Sequence, residues 1–456
     1  MSQLERVKFG STIGVILATA GSAVGLGNVW RFPYMTGQNG GAVFIMIYVV
    51  CVLLLGIPCM ISEFIVGRHA QSNTARAYRK LSGGSPWSVI GYLGVLTGFL
   101  ITGYYAVVAG WCMQYVWASL IGHMSGTPDY FQQYFVSLST DPVKPALWTA
   151  VMLLLTYLII EHGVRDGIER ASKLMMPTLF FLLLCIVVAS CMLPGAGRGI
   201  DFLLKPDFTK INGDVFLAAL GQSFYSLSIA MGCLCTYASY FSRHTNLTRT
   251  ALQIGIIDSL VAVLAGLMIF PAAFSVGINP DSGPSLIFIT LPNVFQQAFA
   301  AVPAVGYAIS LLFFILLTLA ALTSLISLHE VSTAFIHEEL AVTRKRAALI
   351  VSVSTAALGV LCSLSLGGAG DSMVIFGKSL FDWFDFITGQ IFLPVVGFLT
   401  CIFIGWFLPH KVVHDEFTNW GTLRGGFFHL YIFLVKYVCP LAILFIFLHQ
   451  MGVIKE

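Results

Sequence analysis

The amino-acid sequence predicts an all-α membrane protein of eleven transmembrane helices, the first and sixth of them broken, built as two inverted repeats of five spans plus one. Three observations predict it. Of 456 residues, 57% are hydrophobic and only 10% charged, where soluble chains carry about 25% charged residues. Apolar runs at 42–58, 147–160, 174–193 and 306–328 approach the ~20 residues that cross a bilayer as a helix. They are continuous, without the alternation of membrane strands. Finally, small and polar residues interrupt two spans that lie five apart, the pointer to a repeat architecture with a midplane site.

The spans run, in order, over 10–36, 41–68, 88–123, 145–161, 166–193, 214–241, 247–277, 306–340, 346–368, 375–408 and 427–451. The repeats cover about 10–193 and 214–408, and 427–451 is additional. No polar stretch is long enough for a soluble module, so 1–456 reads as one membrane domain. Orientation follows the positive-inside rule. With the N-terminus inside, sixteen Lys and Arg fall on the inner side and six on the outer. That places the N-terminus in the cytoplasm and the C-terminus outside. Lys436 reaches the inner face by snorkelling, whereas Arg31 lies too deep for that and needs a partner.

The ten cysteines all fall in apolar segments with no C-x-x-C spacing, so they read as small packing residues rather than a zinc site. A net charge of +3 gives no reason to expect nucleic acid. Arg6 and Lys8 precede an apolar run, but no small-residue cleavage site closes it. No nucleophile elbow, nucleotide loop or metal-ligand spacing is present, so the chain does not read as an enzyme.

The first span contains Gly21, Gly25 and Gly27, three glycines in seven residues, each weakening a helix by ~1 kcal/mol. The sixth carries Ser226, Ser228 and Gly232 in mid-membrane. Backbone freed from helix bonding survives there only where it lines a protein cavity. A half-helix starting at Gly25 offers N–H groups and a positive dipole end to a carboxylate. Free carbonyls from Gly21 to Val24 suit a hard cation such as sodium. Alone, the glycines would read as contacts for tight helix packing; the second break argues otherwise.

The string GSAVGLGNVWRFP at 21–33 resembles the first-helix signature of the neurotransmitter:sodium symporter family. The resemblance continues through Gly56-Ile57-Pro58 with Glu63, Tyr104-Tyr105, GQSFYSLS at 221–228, TYASY at 236–240, FITLP at 288–292, AALTS at 320–324 and Asp382 to Phe386. It covers essentially the whole chain in order and implies a leucine-transporter-like fold. The nearest subgroup in pattern is that of bacterial eleven-span carriers of hydrophobic and aromatic amino acids, which implies the bacterial inner membrane.

The resemblance further implies two sodium ions. One would be held by the carbonyls of Gly21, Val24 and Ala320 with the hydroxyls of Thr323 and Ser324. The other would use the Ala23 carbonyl, Asn28, Ser226, Asp258 and the substrate carboxylate, all oxygen ligands as a hard cation requires. Asp258 departs from the Asn of many members, and Ala262 stands where chloride-dependent members place Ser. A buried carboxylate offsets the charge of two sodium ions and a zwitterion, so transport is expected to be chloride-independent.

By the same resemblance, the substrate pocket is lined by Ser22, Ala23, Leu26, Ile101, Tyr105 and Tyr225, together with Ser226, Ser228, Met231, Ser324 and Leu328. Tyr105 would donate to the substrate carboxylate beside the Leu26 and Gly27 amides. The carbonyls of Ala23, Tyr225 and Ser226 would accept from the ammonium. Monoamine carriers place an Asp where this chain has Gly25, so the substrate is expected to bring its own carboxylate. Met231 and Leu328 make the side-chain end apolar.

Arg31 and Asp385 would form the outer gate, with Tyr105 and Phe224 or Tyr225 as a thin lid. Arg6 and Glu338 would form the inner gate, with Phe9, Ser239 and Tyr240 nearby. Gly167 and Pro177 have the spacing that related carriers use to unwind the inner end of the fifth span. Glu63, Gln222 and Glu330 read as structural, bonding the broken segments. The implied function is sodium-coupled import of a hydrophobic or aromatic L-amino acid by alternating access. A carrier of another carboxylated amine and a non-transporting sensor stay open.

Overall fold

A computed structural model describes residues 7–278, 286–368 and 373–453, and among these it is helical with a single isolated bridge, Ile375 to Lys378. The first span is two helices, α1 (Thr12–Ala23) and α2 (Gly27–Gln38), bent by 54°. Next come α3 (Ala42–Ala70), a short helix α4 (Thr74–Leu81) and α5 (Pro86–Leu120). A further pair, α6 (Pro128–Ser139) and α7 (Lys144–Ile160), meets at 73°; the fourth expected span falls on α7. The first half closes with α8 (Val164–Cys191).

After a short helix α9 (Gly197–Leu204), the sixth expected span is again two pieces, α10 (Gly213–Ser226) and α11 (Cys233–Ala238). Then follow α12 (Leu247–Ser275), α13 (Leu291–Ala298), α14 (Pro303–Glu339), α15 (Arg344–Gly367), α16 (Leu380–Phe407), α17 (His410–Phe417) and α18 (Phe428–Gln450). Among the described residues, 8 helices are long and apolar enough to cross a membrane, or up to 10 if each bent pair is one span. Eleven was the expectation. Length and composition do not reach it, because the segment expected sixth is cut into pieces of 14 and 6 residues.

Local signals explain the boundaries. Ser11, Asn73, Thr127, Asn212, Asn246 and Thr343 each cap a helix by accepting a backbone N–H with their side chains, which satisfies donors left over in the first turn. The tenth span begins at Leu380 rather than 375, since Ser379 and Asp382 form a reciprocal capping box there. The elements absent from the expectation, α4, α6, α9, α13 and α17, are short; α4 carries Arg76, Arg79 and Lys80 on a polar face. The fifth span is wound throughout: a wide turn over Val164–Glu169 passes into α-helix that runs through Pro177, so the stretch expected to unwind is helical here.

Packing sets the site in the middle of the bundle. The longest helix, α14, lies against both α5 and α1 and buries Thr323, Ser324 and Leu328. Gly21 permits the approach of α1: a Cβ there would lie 3.4 Å from both Met176 Sδ and Thr323 Cβ.

Candidate functional site

The first break is short. Val24 leaves helical geometry (φ −73°, ψ 104°) after its N–H bonds to the Ala20 carbonyl. The freed groups beyond it find side chains. Gly25 N–H donates to Asn28 Oδ1 at 3.0 Å, and Leu26 N–H donates to the Tyr105 hydroxyl at 3.3 Å. Burial without such partners would cost each group about 1–3 kcal/mol.

The second break runs over six residues, 227–232. Ser228 (φ 53°), Ala230 (φ 71°) and Gly232 (φ 77°) adopt left-handed geometry, which is uncommon for residues with a Cβ. The break is held from three sides. Glu63 Oε1 accepts Ala230 N–H at 2.5 Å. The Thr74 hydroxyl donates to Gly232 O at 3.1 Å. The Ser228 hydroxyl donates to Ser22 O at 2.8 Å and so ties the two breaks together.

Two oxygen-rich clusters flank the first break. At one, the Thr323 hydroxyl contacts Ala320 O at 2.9 Å and Val24 O at 3.4 Å. One hydroxyl hydrogen serves two carbonyls, so three oxygens converge around a single proton. At the other, Asp258 is fully buried, in mid-helix of α12 rather than near a solvated end. Its carboxylate accepts from Asn28 Nδ2 at 2.7 Å, the Ser226 hydroxyl at 2.8 Å and the Tyr48 hydroxyl at 2.9 Å. Among the described residues no ion pair involves Asp258, so this buried carboxyl group lacks a basic partner. The Thr323 cluster offers oxygen atoms only, which fits sodium; at Asp258 the carboxyl group and the Ser226 hydroxyl supply oxygens, while Asn28 presents Nδ2 and keeps its Oδ1 on Gly25 N–H.

Of the residues expected to line a substrate pocket, most are buried. Ala23, Leu26, Ile101, Phe224, Met231, Ser324 and Leu328 are all buried. The Ser22 hydroxyl is buried without a partner. A Cβ at Gly25 would collide with Ser324 Oγ and lie 3.2 Å from the Tyr105 hydroxyl. Gly27 lies against the Tyr225 ring, with a Cβ there 3.6 Å from its edge.

At the expected outer gate, the Arg31 guanidinium sits over the Tyr225 ring, 4.2 Å from its centroid. No ion pair among the described residues joins it to Asp385. Of the residues expected to form the lid, Tyr225 packs under Arg31 and Tyr105 faces the first break. Of the expected inner gate, Arg6 lies outside the described residues. Glu338 Oε2 accepts from Asn73 N–H at 2.9 Å, and Phe9 N–H donates to Tyr240 O at 3.2 Å with its ring edge-on to Tyr237 and Tyr240.

Three functional groups escape the sequence reading. Tyr48 is a phenol inside an apolar run, and that isolation was its signal. Glu169 accepts Gly10 N–H at 2.6 Å and the Ser11 hydroxyl at 2.7 Å, fastening the start of α1 to α8. Arg344 pairs with buried Glu330 at 2.6 Å, and Glu330 also accepts the Tyr240 hydroxyl at 2.6 Å. Of the three groups read as bonding the broken segments, Glu63 does so. Glu330 instead bonds Arg344 and a residue just beyond α11, and both polar side-chain atoms of Gln222 lack a partner.

The sequence profile of the sodium:neurotransmitter symporter family matches residues 6–128 and 122–456. An uncharacterized sodium-dependent transporter of Bacillus subtilis is 37% identical over 457 residues, 100% of both chains. The human sodium- and chloride-dependent taurine transporter is 27% identical over 92% of this chain and 74% of its own length. Among solved structures, that of MhsT in complex with L-phenylalanine superposes with a TM-score of 0.87 at 39% identity, covering 98% of this chain and 100% of MhsT.

Proposed function

The chain belongs to the sodium:neurotransmitter symporter family, and from that premise we propose that it imports a hydrophobic or aromatic L-amino acid together with two sodium ions, without chloride. It is a multi-pass sodium-dependent transporter and not an enzyme. The finer reading places it in the bacterial inner membrane with the N-terminus in the cytoplasm, its two repeats rocking about the paired breaks.

The observation that carries the substrate class is the crowding at Gly25. A side chain there would run into Ser324 Oγ, so the protein cannot supply a carboxylate from that position. The substrate supplies it, between the Leu26 amide and the Tyr105 hydroxyl. The ammonium group meets the free carbonyls of the two breaks, and the side chain faces Met231, Leu328 and Ile101, which are buried and apolar. An apolar pocket separates side chains differing by one methylene only weakly, so several related amino acids should compete.

Sodium would use the two oxygen clusters. Val24 O, Ala320 O and Thr323 Oγ1, with Gly21 O and Ser324, would hold one ion. Asp258, Asn28, Ser226 and Ala23 O would hold the other beside the substrate carboxylate. Sodium supplies the positive charge that Asp258 lacks and organises the breaks for substrate. Closing Arg31 onto Asp385 would then seal the outer side, and release of the Phe9–Tyr240 and Arg6–Glu338 contacts would open the inner one.

The test is uptake into proteoliposomes under an inward sodium gradient. Labelled leucine, phenylalanine and tryptophan are offered singly, with taurine and γ-aminobutyrate as competitors, in chloride and in gluconate. Uptake that needs sodium, proceeds in gluconate and resists both competitors is the expected result. Loss of uptake in gluconate refutes chloride independence; sodium-dependent binding without flux points to a sensor.

A further inference from the structure

All ten cysteines are free thiols, and three of them, each from a different helix, meet in one place. Cys59 of α3 and Cys401 of α16 have their sulfurs 3.6 Å apart. Cys439 of α18 adjoins both and also faces Leu54 O at 3.8 Å. None is more than 2% exposed. Isolated buried cysteines behave as small hydrophobes; here the Cys59 and Cys401 thiols are partners of each other.

The position of the cluster gives it leverage. Cys59 lies one helical turn before Glu63, on the same face of α3, and Glu63 holds Ala230 in the second break. Cys401 lies one turn after Gly397 on α16. A Cβ at Gly397 would be 2.5 Å from Phe224 and 3.6 Å from Ala230. The two helices that cradle the second break therefore touch each other, thiol to thiol, one turn away from it.

We propose that Cys59 and Cys401 are an oxidation site: a small uncharged peroxide converts them to a disulfide that fixes α3 to α16 beside the second break and arrests transport. The two thiols give up two electrons and two protons as the S–S bond forms. Hydrogen peroxide accepts both, its O–O bond breaks, and two water molecules leave. The sulfurs must close from 3.6 Å to about 2.0 Å, a shift that side-chain rotation supplies. Burial restricts the reaction to uncharged oxidants, since charged reagents do not enter hydrocarbon.

The test uses the full chain in proteoliposomes, treated with hydrogen peroxide and then digested for mass spectrometry. The expected result is a peptide pair joined through Cys59 and Cys401, two fewer titratable thiols, and at least fivefold slower sodium-driven phenylalanine uptake that a phosphine reductant restores. Cys439→Ser should leave the linkage intact. Cys59→Ser/Cys401→Ser should keep its uptake under peroxide, and Cys401→Ser alone serves if the double variant is poorly produced. Oxidation to sulfinic acid without linkage overturns the proposal, as does equal inhibition of wild type and variant. The flux arm rests on the transport reading above. The linkage arm does not, so wild-type protein that carries no phenylalanine before treatment counts against that reading and leaves the peptide result decisive here.

Discussion

The first break departs from helix at two residues, 24–25, and uses no left-handed backbone; the second departs for six, 227–232, and uses it at Ser228, Ala230 and Gly232. The first keeps its amides on side chains that the proposed ligand sites would also use, Asn28 and Tyr105. The second is clamped by Glu63 and Thr74, which touch no ligand group. The difference separates two jobs. The first break is compact because glycine lets Ser324 and Tyr105 come close, and in the proposed function its groups would turn to cation and carboxylate. The second is strained, and its shape is imposed by neighbouring helices.

The largest effect should come from releasing the clamp. Glu63→Ala leaves Ala230 N–H buried without an acceptor, at a cost of about 1–3 kcal/mol. It also frees strained residues that each cost of order 1–3 kcal/mol. Uptake should fall at least tenfold and the thermal unfolding midpoint should drop, while Glu63→Gln, which keeps an acceptor, should be milder. Wild-type melting and uptake in Glu63→Ala would show that the second break needs no external hold.

Next in size is crowding of the first break. Gly25→Ala drives a methyl into Ser324 Oγ and should weaken substrate binding at least tenfold with little change in melting. Adding Ser324→Ala removes the clashing oxygen, so the double variant should recover part of the loss, a coupling that distant sites would not show. Strict additivity of the two changes would mean that the contact at Gly25 does not shape the site.

A smaller effect is expected at Tyr48. Tyr48→Phe deletes one of three side-chain hydrogen bonds to Asp258. Hydrogen bonds to charged groups contribute about 1.5–3 kcal/mol, part of which water and the ion recover, so half-saturation by sodium should rise roughly three- to tenfold. The order of preference among amino acids should not move. A changed order with unchanged sodium dependence would detach Tyr48 from the cation site.

Much of this was legible in the residues. Apolar runs placed the spans to within a few residues, and the glycines at 21, 25 and 27 marked the first break. Ser226, Ser228 and Gly232 marked the second, but not its left-handed backbone, because Ser228 and Ala230 carry side chains that give no local sign of it. Tertiary contact alone imposes that geometry. Tyr48, Glu169 and Arg344 escaped for a related reason: their partners lie 210, 158 and 14 residues away in sequence. The short helices were missed because their periodicity spans only two to three turns. Asp258 was legible as a carboxylate at a chosen depth, whereas its lack of a basic partner is a property of the packed bundle.

The smallest expected effect is the sharpest test of strain at the second break. Ser228 has two opposing contributions. Its left-handed backbone costs about 1–2 kcal/mol relative to glycine, and its hydroxyl bond to Ser22 O returns about 0.5–1.5 kcal/mol. Ser228→Gly removes both and should leave melting nearly unchanged. Ser228→Ala keeps the backbone cost, loses the bond, and should melt lower by an amount near 1 kcal/mol. If strain is absent, the two variants lose the same hydrogen bond and must melt alike, with glycine lower if anything for its greater freedom when unfolded. Thermal unfolding of both in one detergent, with and without sodium, decides it: glycine above alanine supports a break shaped against its own backbone preference, and glycine at or below alanine removes the contrast with the first break.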